Sequence, residues 1–200
     1  FEWYMHRHRE SFTKEQFDRR LEYGHEVLSN YYDKYIHSFN KIVAIERSIK
    51  NVIVSGVPVK GKLDKLEFDG KSVNVVDYKT GGFDNAIPKL KGPNEKEPNG
   101  GDYWRQAVFY KILVDNYQSK DWKVISTEFD FIEPDKKKNY RKEKVVITPA
   151  DMTTVTEQIK MVWQKIQDRE FYIGCGKEDC HWCNFAKTNN LAIQLHDLEE

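Results

Sequence analysis

Residues Val57 to Lys79 read as a β-hairpin. Val57 to Asp69 forms one strand and Ser72 to Lys79 the next, and Asp69-Gly70 supplies the turn signal between them. In the second strand the period of two puts Val73, Val75 and Asp77 on one face and Val76 on the other, so Asp77 and Lys79 point the same way. Asp64 sits within the first strand and Asp77 ends the second. The hairpin therefore gathers two carboxylates and an ammonium.

Paired carboxylates hold a hard divalent cation such as magnesium through oxygen ligands, and such an ion can activate water and neutralise charge on a scissile phosphate. A lysine two residues on can orient that water or stabilise the phosphate. The competing reading of Asp77-Tyr78-Lys79 alone is two solvated acids on an edge strand beside a surface lysine.

The surroundings of the triplet favour the first reading. Gly61-Lys62-Leu63-Asp64, the acidic turn, Val75-Val76-Asp77-Tyr78-Lys79-Thr80-Gly81 and Gln106-Ala107-Val108-Phe109-Tyr110 resemble the PD-(D/E)XK nucleases, specifically their RecB-like branch. That branch includes nuclease domains joined to UvrD/Rep-type or AddAB-like helicases. The resemblance spans about residues 17 to 185. It implies an α/β fold with a restriction-endonuclease-like core, a mixed central β-sheet flanked by helices. It also implies a Mg2+- or Mn2+-dependent deoxyribonuclease, of exonuclease type, with DNA as substrate and a helicase in the same chain or complex. By resemblance, Asp64 and Asp77 hold the metal with the backbone carbonyl of Tyr78, Lys79 is the catalytic lysine, and Gln106 and Tyr110 brace the site. Spacing of four puts that pair on one helical face. A nuclease-derived module that binds DNA without cutting it, as a tether for the helicase, is the alternative.

The family also carries an upstream histidine as a metal ligand, in a helix with a preceding glycine and a following leucine. Gly24-His25-Glu26-Val27-Leu28 is the best match. His25 keeps its leucine three residues on, but the glycine is adjacent rather than several residues before. Aligned on Gly24, the ligand position falls at Val27 or Leu28, neither of which has an imidazole. The helix stripe Phe17, Leu21, Gly24, Leu28, Tyr31 and Tyr35 leaves His25 on its flank, able to reach inward as a ligand or to pack as an ordinary histidine. Glu46, in Ile42 to Arg47, is a second acidic candidate or an exposed charge.

The expected order is helix, strands, helix, strands, helix. Thr13 and Gln16 form a capping box opening a helix to about Ile36. Strands follow near 42–50, 51–55, 57–68 and 72–79, then a polar, proline-containing segment from Gly81 to about Gly101, either a substrate gate or disorder. A helix over about Asp102 to Tyr117 carries Gln106 and Tyr110. Two strands come next, and Thr148-Pro149 opens the last long helix. Lys136-Lys137-Lys138 at the turn between those strands reads as a phosphate track or a solvated turn.

With 39% hydrophobic and 14% aromatic content, 200 residues suit one globular domain over 1–200, here expected to be cut from a longer chain and to end in a cysteine-containing tail, 171–200. No run nears the roughly 20 apolar residues of a membrane span, and no signal peptide is seen, so a cytoplasmic protein is expected. A formal net charge of zero argues against a basic coat for non-specific nucleic-acid binding, though not against a local track. The three cysteines, Cys175, Cys180 and Cys183, are dense enough to suggest a bound metal or cluster. By resemblance to RecB-like nucleases this would be a 4Fe-4S cluster, but four thiolates are usual, and Asn189 stands near the expected last one. Three readings stay open: a fourth ligand upstream of Phe1, a Zn2+ site completed by His181 or His196, or a ligand set that has decayed.

Overall fold

The computed structural model describes residues 1–170, 174 and 178–188. The chain divides into two compact units, Phe1–Val155 and Thr156–Glu200. In the first, β1 (Val43–Val54), β2 (Val57–Asp69), β3 (Ser72–Lys79), β4 (Lys123–Phe131) and β5 (Lys142–Val145) make one sheet in chain order. The helices are α1 (Glu2–Arg7), α2 (Lys14–Tyr35), α3 (Asp102–Asp115), α4 (Pro149–Gln167) and α5 (His181–Thr188). β3 and β4 are parallel and every other neighbouring pair is antiparallel. The parallel step needs a crossover, and α3 supplies it.

α3 is apolar almost all round, burying Trp104, Ala107, Val108, Tyr110, Ile112, Leu113 and Val114, as a helix enclosed by protein should. It packs on β4, β1 and β2. Ala107 joins Phe129, Phe131 and Ala86 in a buried cluster. On β2 the approach is close enough that a Cβ on Gly61 would sit 2.6 Å from Leu113 Cδ2. The expected mixed sheet with flanking helices is therefore observed.

Local signals explain the element ends. Thr13 Oγ1 accepts from the Gln16 N–H, and Gln16 Oε1 accepts from the Thr13 N–H, so the expected capping box opens α2. Thr148 and Asp151 do the same for α4. Gly70, with φ 59°, turns β2 into β3. Three expectations change in detail. The strands expected near 42–50 and 51–55 are one strand, β1, with a register shift between Ile49 and Val52 absorbed at Asn51, whose φ is 58°; asparagine tolerates that left-handed conformation. α3 ends at Asp115, two residues early. The segment after Gly81 is ordered into two short 3-10 turns, Phe83–Asn85 and Ile87–Leu90, and the Gly101 N–H donates to the Lys91 carbonyl.

One irregularity positions the hairpin carboxylates. Along β2 the inward positions are Val57, Val59, Gly61 and Leu63, and the alternation then slips by one, so that Leu66 is also fully buried. Across the slip, Glu46 of β1 falls out of the ladder between the pairs Ile45–Lys65 and Arg47–Leu63 and takes φ 51°. Asp64 stands at this kink.

Candidate active site

The β2–β3 ladder ends at Lys65 and Val76. One residue further the strands part, and the Tyr78 N–H finds no backbone carbonyl on β2. It donates instead to Asp64 Oδ2 at 2.9 Å. Backbone groups alternate from edge to edge along a strand, and the Lys79 carbonyl accepts from Ile132 on the β4 side at 3.1 Å. The Tyr78 carbonyl is thus turned toward the gap that holds Asp64.

Asp77 is 4% exposed at the other side of this gap. Tyr110 Oη donates to its Oδ1 at 2.8 Å, and Gln106 Nε2 donates to the same oxygen at 3.0 Å. Gln106 Nε2 also donates to Tyr110 Oη at 2.6 Å, while Gln106 Oε1 accepts from Lys79 Nζ at 2.7 Å. Lys79 can only donate, so the carboxamide orientation is fixed by chemistry: oxygen to the ammonium, nitrogen to the carboxylate and phenol. Lys79 Nζ is 2.7 Å from Asp77 Oδ2 as well. Its ammonium lies 4.4 Å from the centre of the Tyr103 ring and 5.2 Å from that of Phe129, which screens it from water on that side. Burial and the neighbouring Asp77 charge push the Tyr110 phenol well above its ordinary pKa, so it stays a donor at neutral pH.

Two features of the acids suit a cation. Asp77 Oδ2 is buried and accepts no hydrogen bond, because the Lys79 contact is an ion pair without hydrogen-bond geometry. Asp64 has its carboxyl pKa raised, first by burial and then by repulsion from Asp77 and Glu46, against the lowering effect of the Tyr78 N–H. Such a pair is relieved by a positive charge between its members. Asp64, Asp77 and the Tyr78 carbonyl therefore fit a divalent ion with oxygen ligands. Among the described residues no group of three or more His, Cys, Asp and Glu side chains gathers with ligand spacing, so the acids stand as a pair.

His25 is not brought to that pair. It is half-exposed, its Nε2 lies 2.9 Å from Glu2 Oε1, and its ring meets Phe1 edge to face. Glu46 is exposed and pairs with Lys62, close enough to raise Asp64 but not to join it.

The sheet's other face carries polar residues that the sequence reading did not single out. Asp130 is fully buried, accepts from Tyr31 Oη at 2.5 Å and pairs with Lys142 at 2.7 Å. Lys65, 6% exposed, pairs with Glu67 and lies 5.4 Å from the Tyr78 ring centre, so Tyr78 is held from behind while its backbone serves the gap in front. Glu133 accepts from the Gly81 N–H and from Tyr23 Oη, both at 2.6 Å, which ties the turn after Lys79 to α2. That bond is the main reason the Tyr23 phenol is pushed up to about 12. Tyr103 was also missed, although its spacing from Gln106 and Tyr110, i, i+3 and i+7, puts all three on one face of α3.

In the second unit, Cys180 immediately precedes α5 and Cys183 lies on it, both half-buried. Cys175, His196 and Asn189 fall outside the described residues.

A mixed sheet with a crossover helix over one face, and a hairpin that parts around two acids and a lysine, defines a restriction-endonuclease-like α/β protein. Residues 2–188 match the PD-(D/E)XK nuclease superfamily, and the chain belongs to it. No curated protein matches the chain in sequence. Among solved structures, a protein provisionally described as an exonuclease from Eubacterium rectale aligns with a TM-score of 0.51 and 14% identity, covering 92% of this chain and 67% of its own. The structure of SSO0001 aligns with a TM-score of 0.38 and 15% identity over 79% of this chain and 70% of its own. The first supports the fold alone. Among the described residues no helix is long and apolar enough to cross a membrane.

Proposed function

We propose that this chain is a Mg2+- or Mn2+-dependent deoxyribonuclease of the RecB-like branch, acting on DNA ends in repair or recombination beside a helicase. The observation that carries the reading is the closed circuit of Asp77, Lys79, Gln106 and Tyr110, in which every polar atom of the Gln106 carboxamide is used. A structural surface lysine would not need such a circuit. The helicase partner and the place in end processing rest on the sequence resemblance.

In this reading Asp64, Asp77 and the Tyr78 carbonyl hold the ion, which when bound supplies charge neutralisation at the phosphate and lowers the pKa of water. Lys79 does the positioning. Gln106 Oε1 and Asp77 fix its ammonium, leaving a donor to orient the attacking water and a positive charge beside the phosphate oxygens. Water gives up a proton to solvent as its oxygen bonds to phosphorus, the phosphorus–oxygen ester bond breaks, and the departing sugar oxygen takes up a proton from solvent. Tyr110 remains protonated and holds Asp77 in place.

The test is cleavage of end-labelled single- and double-stranded DNA with magnesium or manganese, comparing the wild type with Lys79→Ala. Metal-dependent cutting that the variant loses supports the nuclease. Binding without cutting by the wild type would favour the tether. For the cysteines we propose that Cys175, Cys180 and Cys183 bind zinc or an iron–sulfur cluster, which metal analysis and the visible spectrum of the purified protein decide.

A further inference from the structure

α1 is short and has no buried residue, but several contacts fix it on α2. The Phe1 ring lies over Gly24 of α2, where an added Cβ would come within 2.1 Å of it. His25 grips Glu2 and meets Phe1 edge to face. His6 packs on Phe17 at 5.2 Å, and the Arg9 guanidinium covers the same ring at 4.6 Å. The Gly24-His25 pair thus has a use on α2 that involves no metal: the missing side chain makes room for Phe1, and the imidazole fastens the helix that Phe1 begins.

That docking leaves the other side of α1 bare. Trp3 and Tyr4 are 61% and 65% exposed, packed edge to face on each other at 4.8 Å, with the Arg7 guanidinium 5.2 Å from the Trp3 ring. A folded protein has little reason to fasten a helix so that it holds two large aromatic rings in water. Tyr4 lies within electrostatic reach of the exposed Lys62 ammonium, and Lys62 within reach of Asp64. Exposed aromatic rings beside cations are the surface that unpaired bases and their phosphates recognise, because every base has a face to stack and every linkage a charge to neutralise. In a duplex the base faces are already occupied.

We propose that α1 is a stacking platform for single-stranded nucleic acid, with Trp3 and Tyr4 taking successive unpaired bases and Arg7 and Lys62 the adjoining phosphates. This rests on the nuclease reading for its purpose, since it would lead a single strand to Asp64 and Asp77, but it is tested by binding alone.

The experiment measures, by anisotropy in EDTA, the affinity of the full chain for fluorescein-labelled oligothymidylate and for a duplex of equal length. Stacking is worth about 1–3 kcal/mol per base, or roughly 5- to 150-fold. The Trp3→Ala/Tyr4→Ala variant should lose about 10-fold or more in single-strand affinity while duplex affinity changes less than about 2-fold. Trp3→Phe/Tyr4→Phe, which keeps ring faces, should retain most of the binding. Unchanged single-strand affinity in the alanine variant overturns the platform, and is the outcome if another segment or a protein covers these rings. Equal losses on single strands and duplex, or equal losses in both variants, overturn it too. A wild type that binds single strands through α1 but never cuts them with magnesium or manganese overturns the nuclease reading and leaves the platform standing.

Discussion

The Gln106 carboxamide has one acceptor and two donors, and Lys79, Asp77 and Tyr110 take all three. Gln106→Ala should therefore free the Lys79 ammonium and lower kcat by about 10- to 100-fold, with a smaller change in KM, because the lost contacts orient a group that acts in the transition state. Steady-state kinetics on a labelled strand check this. Asp64 yields a prediction about stability. Its pKa is raised by burial and by Asp77, so the folded state disfavours its charged form. The stability it contributes is present below the ordinary carboxyl pKa and is lost as pH rises through the raised value. Metal-free Asp64→Asn should accordingly melt higher than the wild type at neutral pH, and the gap should close as the pH falls toward 3. Calorimetry in EDTA measures both. The hairpin spacing brought Asp64, Asp77 and Lys79 together, and only the resemblance of the residues around them gave that trio a role beyond a solvated strand edge. His25 was harder, because a short motif does not say which way its helix faces. α2 turns Val27 and Tyr31 inward rather than Leu28, and His25, about 200° around the helix from Val27, faces away from them.

At the level of elements, α3 brings Gln106 and Tyr110 to the hairpin only as far as its own N-terminus is fixed. Gly101 caps that end, and a Cβ there would meet the Lys89 carbonyl oxygen at 2.3 Å and its carbon at 2.5 Å. Backbone cannot swing aside as a side chain can. Gly101→Ala should push the turn Ile87–Leu90 away from α3 and destabilise the protein by about 1–3 kcal/mol, and it should lower kcat more than an equally destabilising change remote from the site. Urea melts and kinetics on the same samples test that pairing. The hairpin, the Thr13–Gln16 capping box, the Thr148 cap and the helix that carries Gln106 were legible because each rests on local chemistry: an Asp-Gly turn, a side-chain cap, an apolar run. The kink at Asp64 and Glu46 was not. It arises where two strands slip together, and nothing in Leu63-Asp64-Lys65 marks the change of phase. The same holds for Asp130, a buried charge whose partners, Tyr31 on α2 and Lys142 on β5, reach it only in the folded protein.

For the whole molecule, a formal net charge of zero limits how nucleic acid can be held. A protein coated in lysine binds by releasing many counterions and loses affinity steeply with salt. Here the cations assigned to the strand, Arg7 and Lys62 beside the α1 rings and Lys79 in the site, are few. Lys62 is partly spent on Glu46, and Lys79 on Asp77. Three phosphate contacts on a single strand predict a slope of log K against log salt of about −2, from roughly −0.7 per contact, with the remaining affinity coming from stacking that salt barely touches. Titrations of oligothymidylate across a range of salt in EDTA would give this slope. Trp3→Ala/Tyr4→Ala should lower every point by a similar factor and leave the slope unchanged, whereas Arg7→Ala should reduce it by roughly 0.7. A slope steeper than about −4 would mean that binding runs mainly through surface lysines elsewhere, such as Lys136, Lys137 and Lys138, and that the gap takes its strand from a basic track rather than from the aromatic face of α1.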